Sequence, residues 1–256
     1  VADNPDNVAA LAAAADPASP LTVLVDIDPG IRRTGVASAE AAVALARAIE
    51  AAPTLTYGGV QFYCGREQHI EDFAERRAAV EERTAYLKTV LEALAAAGLP
   101  APIVTGSGTG THRIDLELGV FTELQVGSYV FMDADYARNT PGEREIRFEH
   151  SLFVVSAVMS APTPSRAVCD AGLKAFSFDS GLPVVHGRDD LAYRKASDEH
   201  GVLEVTSGAA APSLGERLRL IPGHCDPTVN LYDWIVAIRG DRVEHLWPVA
   251  ARGALG

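Results

Sequence analysis

The sequence predicts an α/β protein in which parallel β/α units are followed by an all-β domain. Up to about residue 140, β-branched apolar runs alternate with segments whose apolar residues recur at helical spacing. Beyond that point the helical spacing disappears, and short strands separated by turn residues replace it. We therefore predict a partial β/α domain over residues 1–140 and a C-terminal β domain over residues 141–256.

Local signals justify each element of the first half. Residues 21–27 form a β-branched run between a proline and a Pro-Gly pair, which predicts a buried strand. Residues 38–51 begin with a capping serine and carry apolar residues at helical spacing, which predicts a helix. The next predicted elements are a strand over 55–62, a helix over about 67–98 and a strand over 99–105. Right-handed crossovers would place these strands in one parallel sheet or barrel.

In the second half, four segments of short alternating strands are predicted. They lie at residues 144–161, 166–173, 218–226 and 234–253. The last contains Arg239, Gly240 and Asp241 between two apolar runs, which is typical of a hairpin turn.

Composition excludes several classes of function. The 22 Lys and Arg residues against 34 Asp and Glu give a net charge of −12, and no basic run is present to bind a nucleic acid or an anionic membrane. Apolar runs are much shorter than a membrane span, and no signal-peptide pattern is visible. Cys64, Cys169 and Cys225 are too few for a disulfide scaffold, so we expect reduced thiols and a cytoplasmic location.

A glycine loop, Thr105–Thr111, follows the third predicted strand. Its alternating glycines would allow backbone N–H groups to converge on an anion, and the hydroxyls of Ser107 and Thr109 could add donors. It lacks the Lys-Ser/Thr ending of a P-loop and the dinucleotide-binding spacing. A phosphate cradle is the favoured interpretation, and a flexible turn is the alternative.

Two further residues would lie at the same edge of a parallel sheet. Arg33 follows the first strand between two glycine turns, and Tyr63 ends the second strand. At that edge an arginine could bind a ligand oxygen and an aromatic ring could stack on a planar ligand. A solvated arginine and a packing tyrosine are the alternatives.

A possible metal site lies in the β domain. If residues 222–227 are extended, His224 and Asp226 point to one face and Cys225 to the other. An imidazole and a carboxylate could then hold a divalent cation with positions open for water and substrate. The alternative is a hydrogen-bonded His-Asp pair in a turn. The cluster Asp198-Glu199-His200 is more typical of an exposed loop.

Taken in order, these segments resemble the D-threonine aldolase and D-serine dehydratase family. They read DPGIRRTGV, GVQFYCG, TGSGTGT, QVGSYVFMD, SDEHG and PGHCDPTVN, and the resemblance covers nearly the whole chain. It implies an alanine-racemase-like (β/α)8 barrel that binds pyridoxal 5'-phosphate, followed by the all-β domain. It also implies a homodimer in the complete protein.

Residue by residue, the resemblance implies a cofactor site and a metal site. Arg33 would contact the phenolic oxygen, Tyr63 the ring face and Gln125 the pyridine nitrogen, which a neutral amide would leave unprotonated more readily than a carboxylate would. The phosphate would be held by Gly106, Ser107 and Gly108, helped by Gly127 and Ser128. His224 and Asp226 would bind the metal, Mn²⁺, Mg²⁺ or Zn²⁺, and the dehydratase branch typically has cysteine at the second position.

The resemblance also implies that the Schiff-base lysine lies upstream of this chain, so no catalytic residue is assigned. None of Lys88, Lys174 and Lys195 stands in an H-x-K-x-H-like strand, and only about half of the units of a complete barrel are found. The chain is thus expected to be the C-terminal part of a longer enzyme. The implied reaction is cleavage of D-threonine or 3-hydroxyaspartate to glycine and an aldehyde. The alternatives are dehydration of D-serine or 3-hydroxy-D-aspartate, and an inactive fragment.

Overall fold

A computed structural model of the chain describes residues 1–143, 146–208 and 210–254. The chain divides into two compact units. The first unit contains Val1–Gly127 and Asn139–Ile146, and the second contains Ser128–Arg138 and Arg147–Gly256. The division into domains at residue 140 stays a prediction. Among the described residues, no helix combines the length and apolar character needed to span a membrane.

The first unit is built on a parallel sheet with strand order β1-β2-β3-β4. Its elements in chain order are α1 (Pro5–Ala14), β1 (Leu21–Asp26), α2 (Ala39–Glu50), β2 (Leu55–Phe62), α3 (Phe73–Ala96), β3 (Ile103–Gly106), α4 (His112–Leu118) and β4 (Glu123–Leu124). Because all four strands run the same way, the loops that follow them meet at one edge of the sheet. That carboxyl edge collects the segments after Asp26, Phe62, Gly106 and Leu124.

Helices α1, α2 and α3 pack on this sheet and form its core. Valines 23 and 25 of β1 are buried together with Leu45 and Ile49 of α2 and Leu87 of α3. Helices α2 and α3 each begin after a residue that is a favoured N-cap. The side chain of Ser38 accepts the N–H of Ala41, and the side chain of Asp72 accepts the N–H of Glu75.

The second unit is built on a six-stranded antiparallel sheet with strand order β7-β10-β5-β6-β9-β8 and a separate hairpin, β11-β12. Its elements in chain order are α5 (Ala134–Ala137), β5 (Val154–Thr163), β6 (Arg166–Cys169), β7 (Val184–Val185), β8 (Leu191–Ala196), β9 (Gly201–Val205), β10 (Arg217–Ile221), α6 (Cys225–Val229), β11 (Trp234–Arg239) and β12 (Arg242–Pro248). Gly240 has a positive φ of 57° in the hairpin turn.

Several predicted boundaries are wrong for local reasons. The third strand begins at Ile103 rather than residue 99, because Pro100 and Pro102 have no N–H for the ladder. The long helix begins only at Phe73, after a 3₁₀ turn at Glu67–His69. Of the segment predicted as strand over 144–161, residues 144 and 145 lie outside the described residues, and β5 begins at Val154.

The extended conformation predicted for residues 218–226 is also wrong at its end. Strand β10 stops at Ile221, and Cys225 begins helix α6 with His224 as its N-cap residue. A Cβ atom on Gly223 would lie 2.2 Å from the carbonyl oxygen of Gly181, so this turn depends on glycine.

Candidate functional site

The glycine loop after β3 presents a buried serine. Ser107 has a left-handed φ of 66° and is 2% exposed. Its Oγ atom makes no hydrogen bond of normal geometry to any described residue, although the hydroxyl lies near the Asp115 carboxyl. A buried hydroxyl without a hydrogen bond and a left-handed backbone at serine both raise the free energy of the folded state. Such features are typical of ligand-binding loops.

Gln68 holds the glycine loop in place. Its Nε2 atom donates to Oγ1 of Thr111 at 2.8 Å and to the carbonyl of Cys64 at 3.2 Å, and its Oε1 accepts the N–H of Gly110 at 2.9 Å. A Cβ on Gly108 would lie 2.5 Å from Gln68 Oε1. The glycines therefore allow close packing against Gln68, and the loop is braced by hydrogen bonds from within the protein.

The bracing continues beyond the loop. Thr111 donates to Oδ2 of Asp115 at 2.6 Å, and Nδ2 of Asn139 donates to the backbone oxygen of Gln68 at 2.8 Å. Burial raises the pKa of Asp115, although the neighbouring hydroxyls of Thr111 and Ser107 act in the opposite direction. Gln68 and Asn139 were missed in the sequence because 43 residues separate Gln68 from Thr111 and 71 residues separate it from Asn139.

Arg33 and Tyr63 lie together at the carboxyl edge. The guanidinium carbon of Arg33 is 5.2 Å from the ring centroid of Tyr63, a cation–π contact. The side chain of Asp28 shapes the preceding turn, because its Oδ1 accepts the N–H groups of Gly30 and Arg32 at 2.8 and 3.0 Å. The exposed arginine and the half-buried ring are thus neighbours although 30 residues separate them in the sequence.

Gln125 is tied to the glycine loop and to two strands. Its N–H donates to the carbonyl of Gly106 at 2.7 Å, and its Nε2 donates to Oγ1 of Thr105 at 3.1 Å and Oε1 of Gln61 at 3.3 Å. Gly127 faces open space, since an added Cβ would meet nothing within 4 Å. Gly106, Ser107, Gly108, Arg33, Tyr63, Gln125 and Gly127 all belong to the first unit.

Ser128 belongs to the second unit, where it begins a 3₁₀ turn. Its backbone oxygen accepts the N–H of Met132 at 2.7 Å, and the residue is buried.

His224 and Asp226 lie side by side in the second unit. Nε2 of His224 is 3.8 Å from Oδ2 of Asp226, while Nδ1 is 2.6 Å from Oδ2 of Asp179. Burial opposes the ionised form of Asp179, yet hydrogen bonds from Ser177 and His224 lower its pKa to about 2. The ionised Asp179 can hold a proton on Nδ1, which leaves Nε2 as the lone-pair donor next to Asp226.

Asp133 holds the segment that carries this pair. The residue is fully buried, and its Oδ2 accepts the N–H of Cys225 at 2.9 Å while its Oδ1 accepts the N–H of Tyr136 at 3.0 Å. One carboxylate therefore caps both α5 and α6. The sequence offered only a weak sign of this role, since aspartate is a favoured helix cap and α5 follows it directly.

Cys225 points away from solvent and keeps its proton. It is 0% exposed, and its Sγ donates to Oδ1 of Asp226 at 3.2 Å. Burial, followed by the nearby Asp133 and Asp226 carboxylates, raises the pKa of this thiol far above its usual range. The Cys225 sulfur is thus buried among protein atoms, whereas the Asp226 carboxylate is largely exposed and open to a cation.

Within the described part of the chain, no group of three or more His, Cys, Asp or Glu side chains is arranged to hold a metal ion. The His224 and Asp226 pair would supply two protein donors and leave the other positions to water or substrate. The cluster at Asp198–His200 is exposed, and Glu199 pairs there with Nζ of Lys174 at 2.7 Å.

Comparison with known proteins identifies the family. Residues 1–135 match the family described as alanine racemase, N-terminal domain, and residues 151–238 match a serine dehydratase domain. The crystal structure of D-threonine aldolase from Filomicrobium marinum superposes with a TM-score of 0.94 at 40% identity, covering 100% of this chain and 70% of that one. The chain belongs to the alanine racemase-like family of D-threonine aldolases and D-serine dehydratases.

Two relatives from this family, an aldolase and a dehydratase, differ in how similar they are to the chain. A 3-hydroxy-D-aspartate aldolase from Paracoccus denitrificans (strain Pd 1222) is 47% identical over 98% of this chain, which spans 66% of that relative. A D-threo-3-hydroxyaspartate dehydratase from Delftia sp. (strain HT23) is 28% identical to this chain. The alignment covers 88% of this chain and 64% of the dehydratase. The predicted family and the predicted fold class, a partial alanine-racemase-like barrel followed by a β domain, are confirmed.

Proposed function

We propose that the protein is a pyridoxal 5'-phosphate-dependent and metal-dependent lyase that cleaves D-3-hydroxy amino acids, D-threonine or 3-hydroxyaspartate, to glycine and an aldehyde. The observation that carries the proposal is the orientation of His224 and Asp226. Two donor atoms 3.8 Å apart, one of them on a histidine oriented by Asp179, fit a shared divalent cation. The kinship with two aldolases supports the same reaction.

The first unit fits the cofactor at two points. The unpartnered Oγ of Ser107 and the braced loop Gly106–Gly108 suit a phosphate, and Arg33 against Tyr63 suits a phenolic oxygen beside a ring. We propose that Gln125 faces the ring nitrogen and that the backbone of Gly127 adds a phosphate contact. The contribution of Ser128, which belongs to the second unit, stays a prediction from the family resemblance. The bound cofactor would supply an electron sink for breaking the Cα–Cβ bond.

In the second unit, His224 and Asp226 would bind the cation, which would polarise the 3-hydroxyl of a substrate. A carboxylate at the second position favours Mn²⁺ or Mg²⁺ more than a thiolate would, and the complete burial of the Cys225 side chain supports Asp226 as that ligand. Asp179 would act on the cation through His224, whose Nδ1 it contacts.

We expect His224→Ala and Asp226→Ala each to weaken Mn²⁺ binding by at least about 100-fold, because each removes one of two protein donors. Isothermal titration of the purified chain with MnCl₂ measures this directly. His200→Ala removes an exposed histidine of the same unit and serves as the control, with unchanged affinity. Wild-type-like Mn²⁺ affinity in either site variant would refute the metal assignment.

The dehydratase is a second candidate, because a cysteine adjoins the metal pair and a dehydratase is among the relatives. We expect an enzyme completed with the N-terminal part of an aldolase relative to release glycine from D-threonine or D-3-hydroxyaspartate, and to keep its activity in Cys225→Ser. Assays of glycine and of ammonia, with D-serine as a third substrate, decide between the reactions. Ammonia as the main product, together with inactivation by Cys225→Ser, would favour the dehydratase.

The third candidate is a chain that binds the cofactor without turning over substrate. Lys88, Lys174 and Lys195 are all exposed, and none lies on a strand of the parallel sheet. We therefore expect pyridoxal phosphate to bind this chain reversibly, with no lysine labelled after borohydride treatment and peptide mapping. Stoichiometric labelling of one of the three lysines would contradict the family assignment of the Schiff-base lysine. The homodimer and the cytoplasmic location stay predictions.

A further inference from the structure

A chain of hydrogen bonds crosses the carboxyl edge of the parallel sheet. Nε2 of Gln61 on β2 donates to Oδ1 of Asp26 on β1 at 3.2 Å, and Oε1 of Gln61 accepts from Nε2 of Gln125 at 3.3 Å. The same Nε2 of Gln125 donates to Oγ1 of Thr105 on β3 at 3.1 Å, and Thr105 donates to Oε1 of Glu123 on β4 at 2.7 Å. Gln125 thus stands between two branches, each of which ends on a carboxylate.

The Glu123 branch fixes the orientation of the Gln125 amide. A carboxylate only accepts, so Thr105 gives its single hydroxyl proton to Glu123. The oxygen of Thr105 can then only accept, and the atom of Gln125 that faces it must be the NH₂ group. Amide orientations are settled by such networks, because nitrogen and oxygen are otherwise hard to distinguish.

The Asp26 branch requires the same orientation independently. Asp26 is 6% exposed and accepts from the NH₂ group of Gln61, which leaves the Gln61 oxygen facing Gln125. An oxygen at that point requires the NH₂ group of Gln125 as its partner. Reversing the Gln125 amide would therefore place two acceptors against each other in both branches.

Both donors of Gln125 are consumed in this way, and its Oε1 makes no hydrogen bond within residues 1–143, 146–208 and 210–254. We infer that Gln125 presents a fixed hydrogen-bond acceptor to its ligand, so that an aromatic nitrogen facing it must carry a proton. The inference rests on the proposed function, in which that nitrogen belongs to pyridoxal phosphate. It differs from the sequence-based expectation, in which a neutral amide would leave that nitrogen unprotonated more readily than a carboxylate would.

Asp26 and Glu123 are redundant positioning residues, because each carboxylate alone fixes the orientation of the Gln125 amide. A test therefore has to change both. In Asp26→Asn or Glu123→Gln alone, the remaining carboxylate still fixes the Gln125 amide. In the double variant both ends can donate as well as accept, so the reversed orientation becomes available. The substitutions conserve volume, and Glu123 is exposed, so each variant is expected to fold.

The first experiment needs no cofactor. In the ¹H–¹⁵N spectrum of the chain, the side-chain NH₂ protons of Gln125, assigned with Gln125→Met, should exchange slowly with solvent in the wild type and in both single variants. The double variant should lose that protection. Rapid exchange in the wild type, or equal protection in the double variant, would overturn the inference.

The second experiment uses pyridoxal phosphate labelled with ¹⁵N in the ring. At saturation and neutral pH, its nitrogen should show the chemical shift of a protonated pyridine with the wild type and both single variants, and should move towards the unprotonated shift with the double variant. A bound but unprotonated nitrogen in the wild type overturns the inference and leaves the proposed function standing. Absence of saturable binding contradicts the proposed function instead, and the amide exchange then decides the inference alone.

Discussion

Replacing Asp133 with alanine is expected to lower the free energy of unfolding of the second unit by about 3–4 kcal/mol. The substitution leaves the N–H groups of Cys225 and Tyr136 without their shared acceptor in a fully buried position. Each hydrogen bond to a charged group contributes roughly 1.5–3 kcal/mol, and the loss of two helix caps falls in the same range. Urea unfolding followed by tryptophan fluorescence measures this change in the free energy of unfolding, since Trp234 and Trp247 both lie in the second unit.

Asp133→Asn provides the matched comparison. Asparagine offers one acceptor oxygen where aspartate offers two, so it should recover about half of the lost stability. We also expect Asp133→Ala to weaken Mn²⁺ binding, because the Cys225 N–H that it releases adjoins both proposed ligands. An unfolding free energy within about 0.5 kcal/mol of wild type, the range of ordinary surface substitutions, would show that the carboxylate does not brace this segment.

Replacing Gln68 with leucine is expected to cost about 3 kcal/mol in the first unit. Three side-chain hydrogen bonds disappear, and the N–H of Gly110 and the carbonyl of Cys64 lose their Gln68 partners in a buried region. Far-ultraviolet circular dichroism at increasing urea follows the loss, because the longest helices belong to this unit. The affinity for pyridoxal phosphate should fall as well, since the loop that carries Ser107 is no longer braced.

Two variants of Thr111 distinguish the loss of the hydrogen bonds among Gln68, Thr111 and Asp115 from a general packing defect. Thr111→Ser keeps the hydroxyl that accepts from Gln68 and donates to Asp115, and should change stability little. Thr111→Val keeps the shape and removes the hydroxyl, and should cost about 1–3 kcal/mol. Equal unfolding free energies for the two Thr111 variants would indicate that the polar network contributes nothing.

The parts of the fold that were predictable depend on short-range information. The β1 strand, helix α2 with its Ser38 cap and strand β2 follow from β-branched runs, helical spacing and turn residues within about ten positions. Helix α6 did not follow, because its start depends on a capping carboxylate 92 residues upstream. Its prediction as a strand is wrong for that reason.

The same distinction applies to the candidate site. The glycine loop, Arg33, Tyr63, His224 and Asp226 were visible as short motifs or through the family resemblance. Gln68 and Asp179 were not, because the partners that give them their roles, Thr111 and Gly110 for Gln68 and His224 for Asp179, lie more than 40 residues away. No local pattern marks a buried glutamine or an orienting aspartate. Long-range partners enter only when the tertiary structure brings the strands and loops together.

The contact between Gly108 and Gln68 also constrains how the sequence can change. The Gln68 amide occupies the space that a side chain at position 108 would need, so alanine there would force the amide to move and to give up its hydrogen bonds to the loop, unless residue 68 becomes smaller. The two positions should therefore covary among homologues, with glycine at 108 accompanying glutamine at 68. The glycine at position 108 can therefore be required by the packing of Gln68 and not by a ligand. The glycine content of such a loop alone does not show how closely a ligand approaches it.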